Sequence, residues 1–170
     1  MKSDTRRLFF AYWPDQEVRR AIIERRKMLG DLSRRRVPDR NLHLTLLFLG
    51  DQPVERVDDI LAAAGVVTAR QASLNLDRFG WFPRARVAWL GGEAPDATRR
   101  LVSDLAEVLT GLGIEHDHRP FHAHVTLFRQ VRKRPDFPEP PPLEWSPAEF
   151  ALIESISSQP YQVLRKWSVE

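Results

Sequence analysis

A chain of 170 residues has the length of one ordinary domain, and 42% hydrophobic residues with only 8 glycines set it among folded rather than disordered proteins. It has no cysteine, which excludes a disulfide framework, a thiolate metal site and a cysteine nucleophile, and suits the reducing cytoplasm, where the protein is expected. No apolar run reaches the roughly 18 residues that span a bilayer, and 26 Lys+Arg against 23 Asp+Glu leave a mild +3 whose arginines are clustered.

Arg7 to Trp13 (RLFFAYW) is rich in aromatics and stops at Pro14, which predicts a strand. Asp15 can cap the helix that follows. Val18, Ala21, Ile22 and Leu29 form its apolar stripe, and Gly30 ends it. Ser33 to Asn41 is basic and turn-like. Leu42 to Leu49 (LHLTLLFL) predicts a hydrophobic strand closed by Gly50-Asp51, and Val54, Val57, Ile60, Leu61 and Ala64 follow at helical spacing. Ser73 to Phe82 is read as a strand, with Arg86 to Leu90 as its hairpin partner. Pro95 opens a second long helix whose buried side is Leu101, Leu105, Val108, Leu109 and Leu112. Phe121 to Phe128 (FHAHVTLF) is the next strand and Arg129 to Pro142 a proline-rich basic loop. Phe150 to Ser155 and Tyr161 to Trp167 close the chain as strands. Hairpin-like pairs favour antiparallel sheets, hence an α+β fold over residues 1–170 as one domain.

Two of these strands carry the same pattern, His43-Leu44-Thr45-Leu46 and His124-Val125-Thr126-Leu127, about half a chain apart. A long helix precedes each. In a strand, side chains alternate faces. His43 and Thr45 therefore share one face, with Leu42, Leu44, Leu46 and Phe48 on the other. His124 and Thr126 share a face opposite Phe121, Ala123, Val125 and Leu127. If the apolar faces pack on the helices and the halves are related by an approximate two-fold, the two imidazoles meet across a cleft. Histidine's ordinary pKa of about 6.5 lets one ring accept a proton while the other donates one. Threonine hydroxyls one strand-step away can hold phosphate oxygens between them.

Paired His-x-Thr strands in a small α+β chain resemble the two-histidine (2H) phosphoesterase superfamily, and within it the RNA 2′,3′-cyclic phosphodiesterase branch, historically called 2′-5′ RNA ligase. RLFFAYWPD at 7–15, NLHLTLLFLG at 41–50, GWFPRARVAWL at 80–90, RPFHAHVTLFR at 119–129 and YQVLRKW at 161–167 extend the likeness over essentially the whole chain. The resemblance implies a bilobal fold of two antiparallel sheets around a central cleft, with helices outside and pseudo-two-fold symmetry. It implies hydrolysis of a 2′,3′-cyclic phosphate to a 2′-phosphomonoester without metal or cofactor, and 2′-5′ ligation as the reverse. Its partners would be RNA 3′ ends or small cyclic nucleotides, bound by a monomer away from membranes.

Because the motifs are near copies, the residues alone leave open which ring is acid and which is base. The resemblance implies His43 as proton donor and His124 as proton acceptor, with Thr45 and Thr126 on the phosphate. Arg129 would contact phosphate too, although strict alternation points it away from Thr126. Leu49 is taken as its counterpart after the first motif. Phe9, Tyr12, Trp81 and Phe82 are candidates for stacking on a base; core packing is the commoner fate of each taken singly, and Tyr12, as a substrate-binding residue, and Phe82 suit the cleft better than Phe9. His116, His118, His122 and His124 crowd a short window. A zinc site there would need Asp117 or Glu115 and would leave His43 unexplained, so His116 and His118 are read as a solvated turn. The runs Arg34-Arg35-Arg36 and Arg132-Lys133-Arg134 lie beside the histidine strands. Solvated loops and a rim for RNA phosphates remain equal readings of them.

Overall fold

A computed structural model describes residues 4–170. Ten strands and three helices follow the order β1 (Thr5–Tyr12), α1 (Gln16–Lys27), β2 (Arg35–Arg36), β3 (Leu44–Pro53), α2 (Val57–Gly65), β4 (Leu74–Leu76), β5 (Arg78–Phe82), β6 (Val87–Gly91), α3 (Asp96–Gly111), β7 (His124–Arg129), β8 (Leu143–Trp145), β9 (Glu149–Ser155) and β10 (Gln162–Ser168). All ladders between strands are antiparallel. One half of the main sheet runs β10-β9-β1-β3. The other runs β7-β6-β5, with β2 beside β7. A single bridge pair, Leu44 to Val125, joins the halves. The two antiparallel sheets expected from the sequence are therefore present, sewn together at one point. Among the described residues no helix is long and apolar enough to cross a membrane.

Local chemistry explains the elements. The Asp15 carboxylate accepts the Val18 N–H at 2.9 Å, capping α1, and Gly30 at φ +63° turns the chain out of it. The apolar stripes of the helices bury Ile22, Ile60, Ala63, Leu101, Leu105 and Leu109 in the same core as Leu8, Phe10, Leu44 and Val125 of the sheet. The helices thus cover the sheet face opposite the histidines.

Three strand assignments change. Ser73 to Phe82 breaks at Asp77: Leu74–Leu76 leaves the main sheet to pair with Leu143–Trp145, a strand just beyond the predicted Arg129–Pro142 loop. Gly92 permits the departure, since a Cβ there would collide with the Asn75 carbonyl. Arg35–Arg36, read as part of a turn, adds a two-residue strand beside β7. The second helix begins as a 3-10 turn over Val54–Arg56 before α2 proper.

Bulges decide which residues face the cleft. β1 pairs with β3 through Tyr12–Leu44 and Ala11–Thr45, then Phe10–Leu47, so Leu46 is an extra residue. Beyond it the alternation inverts. Phe48, expected with the core, points to the cleft side instead. There it packs with Phe9 and Tyr161, while Leu46, Leu47 and Leu49 are all buried in the core. The ladder of β6 and β7 repeats the device. Trp89 pairs with Thr126 and Ala88 with Phe128, so Leu127 is the extra residue. This bulge brings Arg129 round to the same side as His124 and Thr126, which strict alternation forbids. The two bulges occupy matching positions, three residues after each histidine. Counted from those histidines, the partner of Arg129 is Phe48 rather than Leu49.

Candidate active site

The one-pair seam sets the geometry. Continuing the antiparallel register from Leu44–Val125 places His43 opposite Thr126 and Thr45 opposite His124. Leu44 and Val125 are fully buried on the core side. The four His-x-Thr side chains therefore occupy the other side as a square. Directly opposed Cβ atoms lie about 5 Å apart in a regular ladder and diagonal ones about 7–8 Å. All four line one cleft of about 870 Å³, together with Arg129 and Phe82. The two imidazoles thus take diagonal positions and line the same cleft, and the charge of His124 is felt at His43.

Each ring is held in the same way. His43 Nδ1 lies 2.7 Å from the Asn41 carbonyl and His124 Nδ1 lies 2.8 Å from the His122 carbonyl. In both, Nδ1–H donates to the carbonyl two residues earlier. That fixes the tautomer and leaves Nε2 as the reactive nitrogen. In the neutral ring Nε2 of His43 accepts from the Thr45 hydroxyl at 2.9 Å.

The surroundings differ. His43 is packed by Phe9 at 4.7 Å between ring centroids, stacked on Trp13 at 5.9 Å and touched edge-on by Tyr161 at 5.6 Å. Burial, above all, pushes its pKa down from 6.5 to about 4. The Asn41 carbonyl opposes that, and the charges of Arg129, His124 and Arg19 add to it. His124 meets Phe82 edge-on at 5.1 Å and Trp89 at 6.0 Å. Burial lowers its pKa too, offset by the His122 carbonyl and reinforced by the His122 ring. Arg129, from the second half, thus acts on His43 of the first.

Tyr12 is misplaced by the sequence reading. It sits on the core face, 1% exposed, with its hydroxyl 3.1 Å from Thr98 Oγ1, and does not line the cleft. Burial raises its pKa further. Phe9, one residue out of phase, takes the place expected for it. The strand RLFFAYW is apolar on both faces, so composition hides its phase. The charge on Arg7 was the available signal, because Arg7, Phe9, Ala11 and Trp13 share a side. Phe82 does line the cleft, as expected.

Other contributors went unread. The Arg7 guanidinium lies 4.8 Å above the Phe48 ring. Arg19 donates to the Leu42 carbonyl at 3.3 Å and covers Trp13, bracing the chain beside His43. The Asn41 side-chain oxygen accepts the Tyr161 N–H at 3.3 Å, tying the last loop to the same spot. His116 is more than a solvated turn. It is half-buried, its Nε2 lies 2.9 Å from Thr110 Oγ1, and its ring meets His118 at 4.3 Å on the cleft wall. Among the described residues no group of three or more His, Cys, Asp or Glu side chains is placed to hold a metal ion.

Comparison with known proteins agrees with this architecture. The model of the LigT-like phosphoesterases matches residues 13–89. The RNA 2′,3′-cyclic phosphodiesterase of Escherichia coli is 34% identical, covering 98% of both chains. The chain belongs to the LigT-like phosphoesterase family. The Thermus thermophilus family member of the same name is 35% identical over 96% of this chain and 90% of its own. In structure, E. coli LigT complexed with 3′-AMP superposes with a TM-score of 0.89 at 31% identity, covering 98% of this chain and 99% of that one. Within this two-histidine phosphoesterase family the likeness extends well beyond the first histidine strand, to the chain ends.

Proposed function

We propose that the cleft hydrolyses 2′,3′-cyclic phosphates at RNA or nucleotide ends to 2′-phosphomonoesters, without a metal. The observation that carries this reading is the square of His43, Thr45, His124 and Thr126 on one face of the seam, both rings offering Nε2 to one cleft. The names of the family members support the substrate class.

His124 Nε2 takes a proton from water as its oxygen bonds to phosphorus. The bond from phosphorus to O3′ breaks, and protonated His43 gives its Nε2 proton to the departing oxygen. Thr45 and Thr126 donate to the non-bridging oxygens, and Arg129 offsets their charge. An anionic phosphate beside His43 raises the pKa that the empty cleft depresses, so the substrate itself recruits the acid. Ligation of 2′-5′ ends is the same exchange run backwards.

Adenosine 2′,3′-cyclic phosphate in excess EDTA tests the reading. The wild type is expected to turn it over. His43→Ala and His124→Ala should each lose roughly 10²–10⁴-fold. A wild type silenced by EDTA and restored by zinc, or two fully active alanine variants, would sink it.

A further inference from the structure

Each imidazole packs against an indole, but the two halves supply it differently. In the first half Trp13 follows Tyr12, the partner of Leu44, so it comes opposite His43 and stacks on it. In the second half the residue opposite His124 is Gly91, which has no side chain to offer. The place is filled from two residues upstream. Trp89 pairs with Thr126 on the cleft side of the sheet, and its indole lies over Gly91 along β6 and over Gly80 across on β5. A Cβ at Gly91 would come within 2.9 Å of Trp89 Cε3 and Cζ3, and one at Gly80 would fall inside the ring. The two glycines thus form a bed for a bicyclic ring. The indole meets Phe82 at 5.2 Å and His124 at 6.0 Å between ring centroids, and does not itself line the cleft. Its polar end argues against packing alone. Among the described residues Trp89 Nε1 is the only buried side-chain nitrogen or oxygen without a hydrogen-bond partner, whereas a buried indole ordinarily finds an acceptor. The N–H carries a desolvation cost that phenylalanine would avoid. What the larger ring supplies is reach, from Gly80 to Gly91 and on to the imidazole.

We propose that Trp89 is the positioning residue of His124, a plate that holds the imidazole with Nε2 toward the cleft while touching no substrate atom. This rests on the proposed reaction, in which His124 is the base. The His122 carbonyl restrains the ring at Nδ1. His43 has a second restraint, the Thr45 hydroxyl at Nε2, and His124 has no such bond among the described residues. A ring held at one point swings about it, and the indole removes that freedom.

The test follows Trp89→Leu, Trp89→Phe, Gly80→Ala and Gly80→Ala/Trp89→Phe by turnover of adenosine 2′,3′-cyclic phosphate and by NMR of the imidazoles. Trp89→Leu should lower kcat roughly 10²-fold, the effect of an ångström-scale misplacement, with KM within about twofold. Gly80→Ala fills the space that the smaller ring of Trp89→Phe leaves, so the double variant should turn over faster than either single one. Opening the plate also admits water beside His124, whose burial holds its pKa below the ordinary value. In Trp89→Leu the His124 midpoint should therefore rise and carry the acid limb of kcat/KM to higher pH, while the His43 midpoint stays where it is. His122, His43 and Arg129, the charged groups that line the same cleft beside His124, are kept in every variant. A rise in KM at unchanged kcat overturns the proposal and gives the indole to Phe82. Additive losses in the double variant, or a His124 midpoint that does not move, overturn it and leave the reaction intact. The NMR titration needs no turnover. A His124 midpoint that rises in Trp89→Leu, in a protein that leaves the cyclic phosphate whole, upholds the plate and overturns the reaction.

Discussion

His43 should titrate far below an ordinary histidine until a phosphate arrives. Its ring is enclosed by Phe9, Trp13 and Tyr161 and faces the charges of Arg129, Arg19 and His124, which together hold it near 4. Between pH 6.5 and about 4 the unfolded chain binds a proton at this position that the folded chain refuses. Stability from this group is therefore complete above 6.5 and is lost as pH falls through that window. The gap corresponds to at most ~3 kcal/mol, a ceiling because part of the ring meets solvent. From pH 7 to pH 5 the loss is about 2 kcal/mol, or about 4–8 °C in Tm for a chain of this size. His43→Gln should melt with that much less dependence on pH. Titration of the imidazole proton signals by NMR checks the cause directly. Inorganic phosphate should raise the His43 midpoint, and so should Arg129→Gln, which removes a facing cation. In kinetics, the alkaline limb of kcat should lie at higher pH than that of kcat/KM, because only the former reports the phosphate-bound ring. A free His43 that titrates near 6.5, with His43→Gln melting like the wild type at every pH, would show that its enclosure does not hold the ring neutral.

Two further substitutions probe the frame around the rings. At Gly80 any Cβ would fall inside the Trp89 indole, which in turn abuts His124 and Phe82. Gly80→Ala should cost about 1–3 kcal/mol by overpacking. It should also lower kcat through a displaced His124, read by thermal melting beside steady-state kinetics; an unchanged kcat would detach Trp89 from that role. Tyr12→Phe removes a buried hydroxyl bonded to Thr98 and should cost about 1 kcal/mol. KM for a cyclic nucleotide should stay the same, whereas a large rise in KM would return Tyr12 to the cleft.

The motif was legible because chemistry repeated it. Two His-x-Thr strands in apolar flanks point to paired rings, and the seam at Leu44–Val125 brings their side chains onto one face. What stayed hidden depended on single inserted residues. The extra Leu46 and Leu127 look like ordinary core leucines, yet they invert the alternation and so carry Phe48 and Arg129 into the cleft. Likewise Phe9 and Tyr12 could be exchanged in a strand that is apolar on both sides. The charge on Arg7 hints at their phase, and the pairing of Ala11 with Thr45 decides it. The strand at Leu143–Trp145 was masked by prolines just before it, and its partner Leu74–Leu76 by continuity with β5. Long-range pairing, which no local window contains, supplied the rest.

Each imidazole borrows its orienting carbonyl from its own half, Asn41 for His43 and His122 for His124, and the halves share one ladder pair. The set of each ring is therefore local to its own half, so a substitution that shifts the Asn41 carbonyl should turn His43 and leave His124 as it is.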